Sequence, residues 1–158
     1  MTDDRVTHCL DTSALINPWN LYWAPDLAPG YWRDISRLIG EGRVVITEEV
    51  REEISKVDDD LKKWAHDHVE SWHPLTDEIQ SVVTEIMGNW GQLVDSRKDR
   101  GRADPFVIAT AKVIGATVVT TEKHGTAKAP HIPYVCDRLS VPCIDVFTFV
   151  REARINLA

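Results

Sequence analysis

The chain has 158 residues, of which 43% are hydrophobic and 27% are charged, so it can bury one core and is too apolar for a disordered protein. Its formal net charge of −7 argues against a protein that coats DNA through a broad basic face. The three cysteines show no pairing pattern, which favours reduced thiols. We therefore expect a cytoplasmic protein with no signal peptide and no membrane span.

The first half of the chain alternates apolar strand-like and helix-like patterns. Residues 6–10 predict a strand that ends at the polar sequence DTS, and the Trp-, Tyr- and Pro-rich residues 17–32 predict an irregular segment that runs into a helix over 32–39. Residues 44–46 predict a second strand, and Thr47 can cap a helix that runs to Lys56. Two more helical patterns follow, over 61–72 and over 79–90 after Thr76.

The second half continues the alternation. Asp104-Pro105 predicts the start of a helix that Gly115 ends, and strands over 117–120 and 141–144 precede a last helix over 146–153. Strands separated by helices predict βαβ units around a parallel sheet. We expect one α/β domain over residues 1–158, with a central parallel sheet and helices on both faces. Ligands of such sheets bind at the carboxyl ends of the strands.

Acidic residues follow every predicted strand, and another begins the helix before the third strand. They are Asp11, Glu48, Glu49, Glu52, Glu53, Asp104, Glu122 and Asp145. Carboxylates gathered at one edge of a sheet repel one another unless a cation lies among them, and oxygen-only ligands suit Mg²⁺ or Mn²⁺. Such ions activate water and stabilise the charge that builds on a phosphodiester, so the set indicates phosphoester hydrolysis.

Each acid taken singly also has a structural interpretation. Asp104-Pro105 is the pattern of an N-cap followed by proline at the first helical position. Asp11 can be a turn residue, and Asp145 resembles an ordinary cap of the last helix. The joint placement of the acids favours a site.

Four segments in order resemble the PIN-domain family. Residues 9–16 (CLDTSALI) are similar to its opening strand with the first metal-binding aspartate, and residues 46–54 (ITEEVREEI) to its second segment, in a register that places the acid at Glu53, with Glu49 one turn away. Residues 103–111 (ADPFVIATA) resemble the third segment, and residues 118–122 (VVTTE) the fourth, with Thr120 as the hydroxyl and Glu122 where aspartate is commoner. Residues 132–136 (IPYVC) resemble a less studied PIN-like subgroup.

The resemblance implies a Mg²⁺- or Mn²⁺-dependent endoribonuclease of the type found in toxin-antitoxin systems. It implies metal ligation by Asp11, Glu53, Asp104 and Glu122, an RNA substrate, a protein antitoxin encoded nearby and a homodimer. Because Glu122 departs from the family pattern, a PIN-like module that binds RNA or protein without efficient catalysis is the alternative. A phosphoacceptor domain built on Asp11 fits poorly, since such domains need an additional acid pair near the first strand and a lysine after the last strand, and this pattern is poor here.

Two further features have open interpretations. The basic residues Arg97, Lys98, Arg100 and Arg102 precede Asp104 and form either a solvated loop or a rim that contacts RNA phosphates. The aromatic residues between 19 and 32 either stack on unpaired bases or pack on the core.

Overall fold

The structure is a computed structural model that describes residues 5–57, 59–95 and 101–158. In the described part of the chain, four strands form one parallel sheet in the order β2-β1-β3-β4: β1 (His8–Leu10), β2 (Val44–Val45), β3 (Thr117–Val119) and β4 (Cys143–Ile144). The central strands are apolar and buried, since helices flank the sheet. The predicted α/β fold with a parallel sheet is confirmed.

The helices connect the strands in the predicted alternation. Between β1 and β2 lie α1 (Ser13–Asn17), a π-helical turn (Pro18–Tyr22) and α2 (Pro29–Gly40). Between β2 and β3 lie α3 (Glu48–Val57), α4 (Asp59–His68), α5 (Asp77–Trp90), a 3₁₀ turn (Gly91–Leu93) and α6 (Asp104–Ile114). Helix α7 (Ile132–Arg138) precedes β4, and α8 (Val146–Glu152) follows it. No helix among the described residues is long and apolar enough to cross a membrane.

Three predicted helix caps are present. The Thr76 hydroxyl accepts a hydrogen bond from the Ile79 N–H at 3.2 Å, and the Thr47 hydroxyl accepts one from the Val50 N–H at 3.3 Å. The Asp145 carboxylate accepts from the Thr148 N–H at 2.8 Å. Asp145 therefore caps α8, as the sequence predicts.

The N-cap interpretation of Asp104 is wrong. Asp104 is the first residue of α6, and the N-cap position belongs to Ala103, which has αR backbone angles and offers no side-chain oxygen. Pro105 lies in the first turn, where backbone N–H groups have no intrahelical acceptor, so the missing N–H of proline costs no hydrogen bond. The Asp104 carboxylate is consequently not used to cap its own helix.

The aromatic segment is more regular than predicted. Residues 13–22 form α1 and the π-helical turn, because Pro18 at the first position of a helical turn does not interrupt it. Tyr31 and Trp32 are buried, and Trp19 packs edge-on against Trp32 with ring centroids 4.7 Å apart. These rings belong to the core, whereas Tyr22 is 38% exposed.

The end of α8 has a strained residue. The Ile155 N–H donates to the Val150 carbonyl and the Arg154 N–H to the Arg151 carbonyl, which is the Schellman pattern of helix ends. Arg154 occupies the left-handed position of that motif, with φ of 54°, where glycine is usual.

Arg154→Gly should therefore stabilise the folded protein by roughly 0.5–1 kcal/mol. The left-handed conformation costs an L-residue about 1–2 kcal/mol, and glycine avoids this cost. Part of the gain is lost because the unfolded chain has more conformational entropy with glycine. The measurement is the melting temperature, expected to rise by about 1–4 °C. A fall in melting temperature would show that the Arg154 side chain stabilises the fold.

Candidate metal site

Three carboxylates meet beyond the carboxyl ends of β1 and β3. Asp11 follows β1, Asp104 begins α6, and Glu122 is the third residue after β3. Each offers one oxygen within 4.8 Å of the oxygens offered by the other two. Asp11 and Asp104 are only 2% and 5% exposed, so the charges meet in a setting that water reaches poorly.

Asp11 is held by three donors on one oxygen. Its Oδ2 accepts from the Ser13 hydroxyl at 2.7 Å, the Thr120 hydroxyl at 3.0 Å and the Ser13 N–H at 3.3 Å. Its other oxygen, Oδ1, is buried and has no hydrogen-bond partner among the described residues. A buried carboxylate oxygen without a partner is costly, and a cation beside it would remove that cost.

Thr120 connects two of the acids. Its hydroxyl donates to Asp11 and accepts from the Glu122 N–H at 3.1 Å. The Ser13 hydroxyl lies 3.2 Å from that of Thr120 and accepts from the Thr121 N–H at 2.9 Å. The serine and the threonine thus fix the turn after β3 against the turn after β1.

Backbone donors orient the two glutamates. Glu122 Oε2 accepts from the Ile132 N–H at 3.1 Å, at the start of α7. Glu53 Oε1 accepts from the Ala103 N–H at 2.7 Å, beside the start of α6. Glu122 therefore lies in the three-acid group even though it is longer than the commoner aspartate, while Glu53 borders that group.

All four acids line one cleft of about 900 Å³ together with Glu49, Glu52, Lys56 and Arg102. Glu49 is half-buried on the same side of α3 as Glu53. Arg102 is exposed and lines the cleft, whereas the predicted RNA-contacting residues Arg97, Lys98 and Arg100 lie outside the described residues.

Gly101 was not anticipated from the sequence. Its φ is 73°, and a Cβ atom there would lie 2.5 Å from the Leu93 carbonyl and 3.0 Å from Asp104 Oδ2. Only glycine lets the backbone approach this close to the Asp104 carboxylate. Ser13 also belongs to the site and was not predicted, although it lies in the DTS sequence after the first strand.

Burial raises the pKa of every acid in the group, and repulsion by neighbouring acids raises the pKa of Asp104 and Glu122 further. Burial raises the pKa of Glu122 to about 7, with a further contribution from the Asp11 charge. The pKa of Asp104 lies well above its ordinary value because of burial and the charges of Asp11 and Glu122. Burial also raises the pKa of Asp11, against the lowering effect of its hydroxyl donors, and that of Glu53. The group is electrostatically unfavourable without a cation.

The residues present fit a divalent cation. All donors are oxygens, the set that hard divalent ions prefer. Oxygens on opposite sides of Mg²⁺ are about 4.2 Å apart, so small side-chain rotations bring groups within 4.8 Å to ligand positions. Asp11 Oδ1 already lacks any other partner among the residues described.

Comparison with solved structures defines the class of fold. The chain is similar to a chain of the crystal structure of VapBC2 from Rickettsia felis bound to a DNA fragment from their promoter, with a TM-score of 0.53 and 13% identity over 89% of this chain and 98% of that one. This likeness concerns the fold alone and supports the PIN-like fold that the sequence predicts. No curated protein matches the sequence.

The family is shown by sequence. Residues 8–157 match the model of DUF4411, described as a domain of unknown function, and the chain belongs to that family. The match includes Asp11, Glu53, Asp104 and Glu122. The assignment of residues 132–136 to a particular PIN-like subgroup stays a prediction.

The raised pKa values predict how the metal-free protein responds to pH. An acid whose pKa is higher in the folded than in the unfolded state makes the fold less stable above its folded pKa, and this loss is relieved as the pH falls. The substitution Asp104→Asn replaces one of these charges with a neutral amide. It should raise the melting temperature at pH 7.5 in EDTA by about 2–6 °C. The melting temperature of the wild type should increase as the pH falls towards about 5, and that of the variant should increase less.

The measurement is thermal unfolding of both proteins between pH 5 and 7.5. Because both carry His8, whose pKa burial lowers, its opposite effect on stability cancels in the difference. Parallel curves for the two proteins would show that Asp104 is not under electrostatic stress.

Proposed function

We propose that this protein is a divalent-metal-dependent endoribonuclease of the cytoplasm that acts as the toxin of a toxin-antitoxin pair. The observation that carries the proposal is the convergence of the Asp11, Asp104 and Glu122 carboxylates, one of which, Asp11, has a buried oxygen without a partner among the described residues. The PIN-like fold supports it, because the acids lie at the sheet edge where the four-segment resemblance places the metal ligands.

The three converging carboxylates would hold Mg²⁺ or Mn²⁺, with Glu53 as a fourth ligand and Glu49 farther along the same helix. When bound, the ion supplies an activated water and neutralises the charge that builds on the phosphodiester. The residues of the chain perform the remaining tasks. Ser13 and Thr120 fix the orientation of Asp11, and the Ile132 and Ala103 N–H groups fix the two glutamates.

The walls of the cleft support a nucleic-acid strand as substrate. Lys56 and Arg102 bring positive charge to a cleft that is otherwise acidic, which favours phosphate groups near the acids. The partly exposed Phe106 ring lies on the same lining and offers a surface for an unpaired base. Single-stranded RNA, whose bases are free to stack, suits such a cleft.

Exposed apolar side chains support a protein partner, an antitoxin or a second copy. Leu21, Leu27 and Phe147 are 70%, 76% and 46% exposed. The Phe147 ring lies 5.6 Å from that of Tyr22, which makes a continuous apolar contact between α8 and the π-helical turn. Apolar side chains grouped on a surface are typical of interfaces.

The proposal predicts that the purified protein cleaves a mixed RNA pool when Mg²⁺ or Mn²⁺ is present and that EDTA stops cleavage. Asp11→Asn should lower the rate at least about 100-fold, since it removes a ligand charge and its unpartnered oxygen. The measurement is the initial cleavage rate of end-labelled RNA.

The matched control is Asp145→Asn, another aspartate after a strand, which caps α8 and lies outside the cleft. Its rate should stay within about twofold of the wild type, since asparagine is an equally good cap. Cleavage that survives both EDTA and Asp11→Asn contradicts the proposal. RNA binding without any cleavage would favour the non-catalytic module instead.

A further inference from the structure

A second cavity lies at the opposite edge of the sheet, where the strands begin. Its volume is about 740 Å³, and Thr7, His8 and Thr117 from the starts of β1 and β3 form part of its lining. The charged residues of the lining are Arg5, Arg37, Arg43, Glu152 and Arg154. We call this cavity the arginine pocket. Four arginines around one cavity contrast with a chain whose formal net charge is −7.

The single carboxylate of the lining is already engaged. Glu152 Oε1 lies 3.3 Å from Nε2 of His8. Arg37 pairs with Glu41, an acid outside the lining, at 3.1 Å. Arg43 Nε is buried and has no hydrogen-bond partner among the residues that the structure describes. A buried guanidinium donor without an acceptor is the counterpart of the unpartnered carboxylate oxygen at the other edge of the sheet.

Arg154 brings its charge to this pocket at a conformational cost. It occupies the left-handed position after α8, with φ of 54°, where glycine or asparagine serves the helix end better. A strained residue at a cavity indicates a role for its side chain. The Schellman hydrogen bonds are made by backbone atoms, so they do not require arginine.

Backbone N–H groups already serve one terminal carbonyl of each helix that ends near this pocket. Helices α2, α6 and α8 all end near this edge, and cations near a helix C-terminus are favourable. However, terminal carbonyls of each helix already accept backbone N–H groups: Leu38 from Arg43, Ala111 from Ala116, and Val150 from Ile155. The guanidinium groups are therefore not needed as donors to these carbonyls.

We propose that the arginine pocket binds a phosphate group, carried either by a free nucleotide or by the end of a nucleic-acid strand. Guanidinium groups bind phosphate oxygens through paired, charge-assisted hydrogen bonds. The cavity has the size of a small-molecule site and is concave, which suits a nucleotide rather than the face of a protein partner. The proposal does not depend on the nuclease activity.

The test is calorimetric titration of the protein in EDTA, so that no metal at the acidic cleft contributes to phosphate binding. The ligands are inorganic phosphate, AMP, adenosine and a 5′-phosphorylated RNA trinucleotide. Phosphate and AMP should bind and adenosine should not. Arg43→Gln and Arg154→Gly should each weaken AMP binding about tenfold or more, as expected for loss of a charge-assisted hydrogen bond.

Arg154→Gly keeps the helix end intact, which separates loss of binding from loss of folding. Arg138→Gln is the matched control, since Arg138 is an exposed arginine outside the pocket, and its AMP affinity should stay within about twofold of the wild type. Equal affinities for AMP and the trinucleotide would identify the free nucleotide as the ligand, and tenfold tighter trinucleotide binding would identify a strand end. Absence of phosphate binding, or binding that both pocket variants leave unchanged, overturns the proposal.

Discussion

Electrostatic repulsion among buried carboxylates is the constraint on which the rest of the site depends. Asp11, Asp104 and Glu122 meet where β1, β3 and α6 converge, in a place that hydrophobic packing would otherwise fill more favourably. The surrounding chain reduces the repulsion only in part. Hydroxyl and backbone donors engage Asp11 Oδ2 and the two glutamates. Asp11 Oδ1 has no partner among the described residues, and Asp104 lines the cleft. Such an arrangement favours function over stability.

The two edges of the sheet differ in charge. The carboxyl edge carries the acids, and the amino edge carries the arginine pocket. Because the strands are only two or three residues long, about 10 Å of β-sheet separates them. A small α/β core thus supports two sites of opposite charge, and the short strands leave room for both within one chain.

The sequence predicts the elements whose signals are local. The Thr76 cap and the apolar pattern of each strand lie within short windows, and the structure has them. The N-cap at Asp104 was wrong because the helix begins one residue earlier than a cap there requires. The seven-residue helix α7 escaped notice since it is shorter than two full turns of apolar pattern.

Long-range contacts of the site are beyond such reasoning. The Ala103 N–H reaches Glu53 across 50 residues, and the arginines of the second pocket come from both ends of the chain. The central claim, that the strand-end acids form a cation site, is tested most directly by Mn²⁺ titration followed by electron paramagnetic resonance. Wild-type protein should remove the signal of free Mn²⁺, and Asp11→Asn should bind the ion at least about tenfold more weakly. Equal Mn²⁺ affinity in the two proteins would contradict the account.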